Sequence, residues 1–152
     1  MKTNQKFNTI GHAIIPPDPE KFFAACERGR DEYFQLTPLI SGEAAGKIIN
    51  YRSWYIDPRR ELSAMLSVLG KRHGACFCIG FEYSPVIFAY LPTDCSQEAI
   101  DDLLSGFALF HPDESDEYTG RVTNTGIRGK GNKYNCLSAN ISGYLVWRFW
   151  WD

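Results

Sequence analysis

The stretch that most narrows the possible folds is residues 74–92, "GACFCIGFEYSPVIFAYLP". Read as extended chain, its first half sets Ala75, Phe77, Ile79 and Phe81 on one face and Cys76, Cys78 and Gly80 on the other. Its second half sets Val86, Phe88 and Tyr90 against Ile87, Ala89 and Leu91. Strands that are apolar on both faces belong in the middle of a sheet that is covered on both sides. The intervening "EYSP" supplies turn residues, so the two halves predict a central hairpin.

Three amphipathic segments offer that cover. "PPDPEKFFAACERGRDEYFQL" predicts a first helix, with Asp18 as cap and Pro19 at the first helical position, where the missing N–H costs nothing. Phe22, Phe23, Cys26, Tyr33 and Phe34 keep roughly one face, interrupted at Gly29 and Arg30. The same Asp-Pro opening recurs in "YIDPRRELSAMLSVLGKRHG", where Leu62, Met65, Leu66 and Leu69 fall at i, i+3, i+4 and i+7. Gly70 with Lys71 and Arg72 is expected to end that helix. A third helix is expected in "TDCSQEAIDDLLSGFALF", capped by Asp94 or Ser96, with Ile100, Leu103, Leu104 and Phe107 as its stripe.

The remaining patterned segments read as strands. "NTIGHAII" and "GKIINYRSWYI" are strand candidates early in the chain, and segments near 117–124, 134–140 and 143–151 follow the acidic "PDESDE". In "GYLVWRFWWD", alternation puts Leu145, Trp147, Phe149 and Trp151 on one face and Tyr144, Val146, Arg148 and Trp150 on the other. An end this aromatic is expected either to lie inside the sheet or to dock onto a partner. The expected fold is α+β, a single layer of about three helices on a mainly antiparallel sheet, in the order β-α-β-α-β-β-α-β-β-β.

A chain of 152 residues with 44% hydrophobic and 14% aromatic residues predicts one compact domain, residues 1–152, without metals or disulfides as staples. The net charge of −2 and pI near 5.9 give no global attraction to nucleic acid or anionic lipid. No signal peptide is evident, and no apolar run approaches the roughly 20 residues that span a bilayer. The five cysteines, Cys26, Cys76, Cys78, Cys95 and Cys136, are odd in number and set among apolar neighbours. They predict reduced, mostly buried thiols and a cytoplasmic protein.

Candidate chemistry is sparse. His12, His73 and His111 have no nucleophile or acid at a motif spacing. Cys76 and Cys78, on one face of a strand, would hold their sulfurs roughly 6.5–7 Å apart, too far for two thiolates on one zinc ion. Asp113, Glu114, Asp116 and Glu117 lack the spacing and central glycine of a calcium loop and are expected in a solvated loop. "TGRVTNTGIRGKGNKYN", residues 119–135, carries Arg121, Arg128, Lys130 and Lys133 without an acid. It fails the P-loop pattern at Asn132, the acetyl-CoA pattern at Lys133 and the dinucleotide pattern at Tyr134, where the third glycine is missing, and strand-like sequence follows where each needs a helix.

Three function classes remain. The leading expectation is a non-enzymatic cytosolic protein that binds and blocks another macromolecule, in the manner of toxin-immunity proteins or phage inhibitors of bacterial defence. Its protein interface would use Trp54, Arg148, Trp150 and Trp151, residue types enriched at binding hot spots. An acidic chain suits a basic partner such as a nuclease toxin. The alternative is a small-ligand or nucleotide-binding domain, with Arg121, Arg128, Lys130 and Lys133 clamping a phosphate and Tyr118 and Tyr134 stacking on a base. The third is an enzyme whose Cys, His and Asp groups meet only in space. No catalytic residue, metal or cofactor is implied by any motif, and no membrane contact is expected.

Overall fold

The computed structural model describes residues 8–10, 13–15, 36–37, 39–51, 56–80, 85–120, 122 and 143–152, with backbone alone at 8–10, 13–15 and 51. The helix expected over 18–34, the strand expected over 134–140, and Trp54 lie outside them. Chain order is β1 (Asn8–Ile10), β2 (Ala13–Ile15), β3 (Ile40–Ser41), α1 (Gly42–Tyr51), α2 (Arg59–His73), β4 (Cys76–Ile79), β5 (Val86–Pro92), α3 (Gln97–Ala108), β6 (Glu114–Glu117) and β7 (Tyr144–Trp150). The strands form one sheet in the order β1-β2-β3-β4-β5-β7-β6, antiparallel except for β2 beside β3. The fold is α+β, as the sequence predicts.

The two-faced hairpin lies at the centre. β4 and β5 pair from Cys76↔Tyr90 to Ile79↔Ile87, and β7 covers the other edge of β5 from Val86↔Trp150 to Pro92↔Tyr144. One sheet face, with Phe77, Ile79, Ile87, Ala89, Trp147 and Phe149, packs under α1, α2 and α3. The other, with Cys78, Val86, Phe88, Tyr90, Val146 and Trp150, packs against Leu36, Leu39, Tyr118 and Val122. The alternation read from "GYLVWRFWWD" divides between these two clusters as expected, and β7 is an interior strand.

"GKIINYRSWYI" corrects the strand reading, because its first part belongs to helix α1. The buried Ala44, Ala45, Ile48 and Ile49 recur at helical spacing, and the Ala44 N–H bonds to Ser41 Oγ at 3.2 Å, capping the start. Gly42 and Gly46 let α1 lie against α2: a Cβ on Gly42 would stand 2.9 Å from Gly70 Cα, and one on Gly46 2.7 Å from the Ser63 carbonyl oxygen. The Ser63 hydroxyl donates to the Gly46 carbonyl and accepts from Asn50 Nδ2, both at 2.8 Å, so no buried polar group is wasted at the crossing.

Helix α2 buries Leu62, Leu66 and Leu69, with Met65 partly buried beside them. It differs from expectation at both ends. Pro58 occupies the cap position with extended backbone, and no side chain caps the helix. Gly70 is internal, and the helix runs on through Lys71, Arg72 and His73 to Gly74, whose φ of 70° closes it. In α3, Ser96 Oγ accepts the Ala99 N–H at 3.2 Å, so Ser96 and not Asp94 is the cap. Its buried line is Ala99, Leu103 and Phe107, which turns Leu104 outward to 37% exposure.

Strand β6 is the second correction. The acidic run expected as a loop pairs with β7 from Glu114↔Trp150 to Glu117↔Trp147, while Tyr118 to Gly120, inside the segment expected as a strand near 117–124, lie past the end of β6 and outside any strand. Asp and Glu are poor strand formers. The outer edge of β7 recruits them because its backbone groups would otherwise lack partners.

Candidate functional site, an acidic helix and edge strand

Charge is distributed unevenly along the chain. Residues 94–117 hold Asp94, Glu98, Asp101, Asp102, Asp113, Glu114, Asp116 and Glu117 and not one Lys or Arg, a charge of −8. The remaining 10 acids face 16 bases, so the rest of the chain carries +6 and the total is −2. All eight acids are exposed except Asp102, which is half-buried.

Packing attaches both acidic elements to the same strand, β7. Phe107 of α3 stacks on Phe149 of β7 with centroids 3.9 Å apart and planes 6° apart, and Phe149 lies opposite Ser115 of β6. The chain that leaves α3 is pinned there by the Trp151 indole N–H, which donates to the Phe110 carbonyl at 2.9 Å. The Asp152 N–H bonds to Asp113 Oδ2 at 2.6 Å. Helix α3 therefore sits above β7, next to the acidic edge strand. Leu109, between the two acidic elements, is 72% exposed.

Among the described residues, Arg148 is the cation that meets this edge. It lies opposite Asp116 in register, with Nη2 3.5 Å from Asp116 Oδ1 and in contact with Glu114 Oε1. Its Nε is buried and has no hydrogen-bond partner among the described residues. The guanidinium thus offsets charge on one sheet face, while Glu117, one residue out of phase, points to the other.

The remaining expected site residues divide. Trp150 is half-buried and packs with the second cluster, near Val86 and Phe88. Trp151, at 5% exposure, belongs to the main core, and that burial leaves the ring little surface to offer a partner. Tyr118 sets its ring edge-on to Phe88 at 5.0 Å. Arg121, Arg128, Lys130, Lys133 and Tyr134 lie outside the described residues. The exposed Leu109 escaped sequence reading because "GFALF" looks like uninterrupted core.

Other chemical groups are placed as follows. His73 Nε2 lies 2.8 Å from Asp102 Oδ2, tying the end of α2 to α3, with Arg72 Nη1 at 4.0 Å. Cys76, Cys78 and Cys95 are free thiols. Burial pushes Cys76 up to about 11, and burial raises Cys78 further, opposed by its hydrogen bond to Tyr90. Thiols so shifted are neutral near pH 7 and are poor nucleophiles. Among the described residues no group of three or more His, Cys, Asp or Glu is placed to hold a metal ion. An open cleft of about 620 Å³ is lined by Asn50, Asp57, Pro58, Arg59, Arg60 and Glu61, with two cations balanced by two acids.

No family model matches the chain, and no match is found among curated proteins or solved structures. No helix among the described residues is long and apolar enough to cross a membrane.

Proposed function

We propose that this protein binds a cationic protein and blocks it, using the acidic side formed by α3 and β6. The observation that carries the reading is the run from Asp94 to Glu117, eight acids without a Lys or Arg, on two elements that both attach to β7, α3 through the Phe107–Phe149 stack and β6 by strand pairing. Concentrated charge of one sign raises the encounter rate with a partner of the opposite sign and disfavours wrong partners. Leu109, exposed between the acidic elements, supplies an apolar contact of the kind that charge alone lacks.

Blocking follows from where a cationic partner keeps its own positive surface. In a nuclease, for example, that surface holds the phosphate backbone. An acidic protein seated there competes with the substrate by occupying the same charges. The test is reconstitution. The protein, used as bait at low salt, should retain a basic protein at equal stoichiometry, and adding it should suppress that partner's activity. A retained partner whose activity is untouched by saturating bait would refute the blocking role.

A further inference from the structure

The geometry points to strand addition: the free edge of β6 takes an extended segment of the partner that carries Lys or Arg at alternate positions. This inference rests on the acidic-face reading above and adds how the partner is held.

The backbone at β6 has a definite orientation. In an antiparallel ladder, facing residues alternate between pairs that exchange hydrogen bonds and pairs that do not. The Tyr118 N–H donates to the Val146 carbonyl at 2.8 Å, one step beyond Glu117↔Trp147. Counting back by twos, Asp116 and Glu114 also direct their backbone groups to β7. Ser115 and Glu117 therefore direct theirs away from the sheet, and β6 is its last strand among the described residues. All four residues of β6 are exposed. The edge presents two N–H donors and two carbonyls to whatever lies alongside.

Charge selects the occupant. Side chains alternate across a strand, so Glu114 and Asp116 lie on the Arg148 face and Glu117 on the helix face. A second copy of β6 added antiparallel would set acid beside acid, which is destabilising. An uncharged strand would gain no side-chain compensation at an edge whose charges guard against promiscuous pairing. A strand with alternate cations is favoured by both the backbone groups and the carboxylates, the combination by which peptides add to sheet edges.

The probe is a short peptide of alternating Lys and Thr. A second peptide of identical sequence carries N-methyl groups on the alternate backbone nitrogens that face β6, which keeps the charge and removes the donors. At low salt the first peptide should bind and should slow hydrogen exchange at the Ser115 and Glu117 amides. The methylated peptide should bind about tenfold more weakly, the loss expected for one or two hydrogen bonds. Ser115→Pro, which removes an outward N–H and leaves the β7 ladder intact, should weaken the first peptide to a similar degree. Equal binding of the two peptides without amide protection would overturn strand addition and leave the acidic-face reading standing. Binding by neither peptide would also overturn it. The acidic-face reading fails separately, if the bait retains no basic protein.

Discussion

Gly42 and Gly70 meet backbone to backbone where α1 lies against α2. A Cβ on Gly42 would fall 2.3 Å from the Leu66 carbonyl oxygen and 2.9 Å from Gly70 Cα, and one on Gly70 would fall 3.0 Å from Gly42 Cα. The obstructing atoms are backbone, so a methyl group there can be accommodated only by moving the helices apart. Gly42→Ala is expected to destabilise the fold by about 1–3 kcal/mol, the usual range for overpacking. Urea unfolding monitored by circular dichroism would show this as a lower midpoint at unchanged slope.

The Phe107–Phe149 stack joins α3 to the sheet, and both rings are fully buried. Phe107→Ala leaves a cavity under α3 and should cost roughly 3–5 kcal/mol. Ser96→Ala removes only the cap on Ala99 and should cost about 1 kcal/mol. The contrast between the two, measured in one unfolding series, checks that α3 is held mainly by its packing.

Alkaline pH should weaken the fold. Burial raises Cys76 from its ordinary 9.0 to about 11 and also raises Cys78 and Tyr90. The folded state keeps these protons at a pH where the unfolded chain releases them, so the unfolded chain is favoured as pH rises. The stability tied to Cys76 is fully present below about pH 9 and is lost as pH climbs to about 11. Unfolding midpoints from pH 8 to pH 11 should fall, and Cys76→Ala should fall less steeply across this window.

The parts of the fold legible in the sequence are those whose pattern is decided by one strand or helix on its own. The hairpin of Cys76–Ile79 and Val86–Pro92 is apolar on both faces, and Tyr144–Trp150 splits its residues between two clusters, so burial follows from alternation alone. Helix α1 was hidden because Ile48 and Ile49 suggest a strand, while the decisive fit of Gly42 and Gly46 depends on Gly70 and Ser63 in another helix. Gly70 suggested a helix end for the same reason: its use is close approach, which has no local signature. Strand β6 was hidden because Glu114, Asp116 and Glu117 disfavour a strand, and only the open edge of β7 makes one there. The acidic run itself is legible, but its attachment to the same strand as α3 depends on where Phe107 packs and on which edge β6 pairs with.

The most direct measurement compares three baits at equal concentration: the wild-type protein, the acid-neutralised Glu98→Gln/Asp101→Asn/Glu117→Gln, and the control Lys47→Gln/Lys71→Gln. All five positions are exposed, so the fold should survive in each. A stoichiometric basic partner is expected on the wild type and the control, sharply reduced on the acid-neutralised bait and released by salt, because exposed charges are screened within about 8–10 Å at physiological ionic strength. Equal retention on all three baits, or loss confined to the lysine variant, would contradict it.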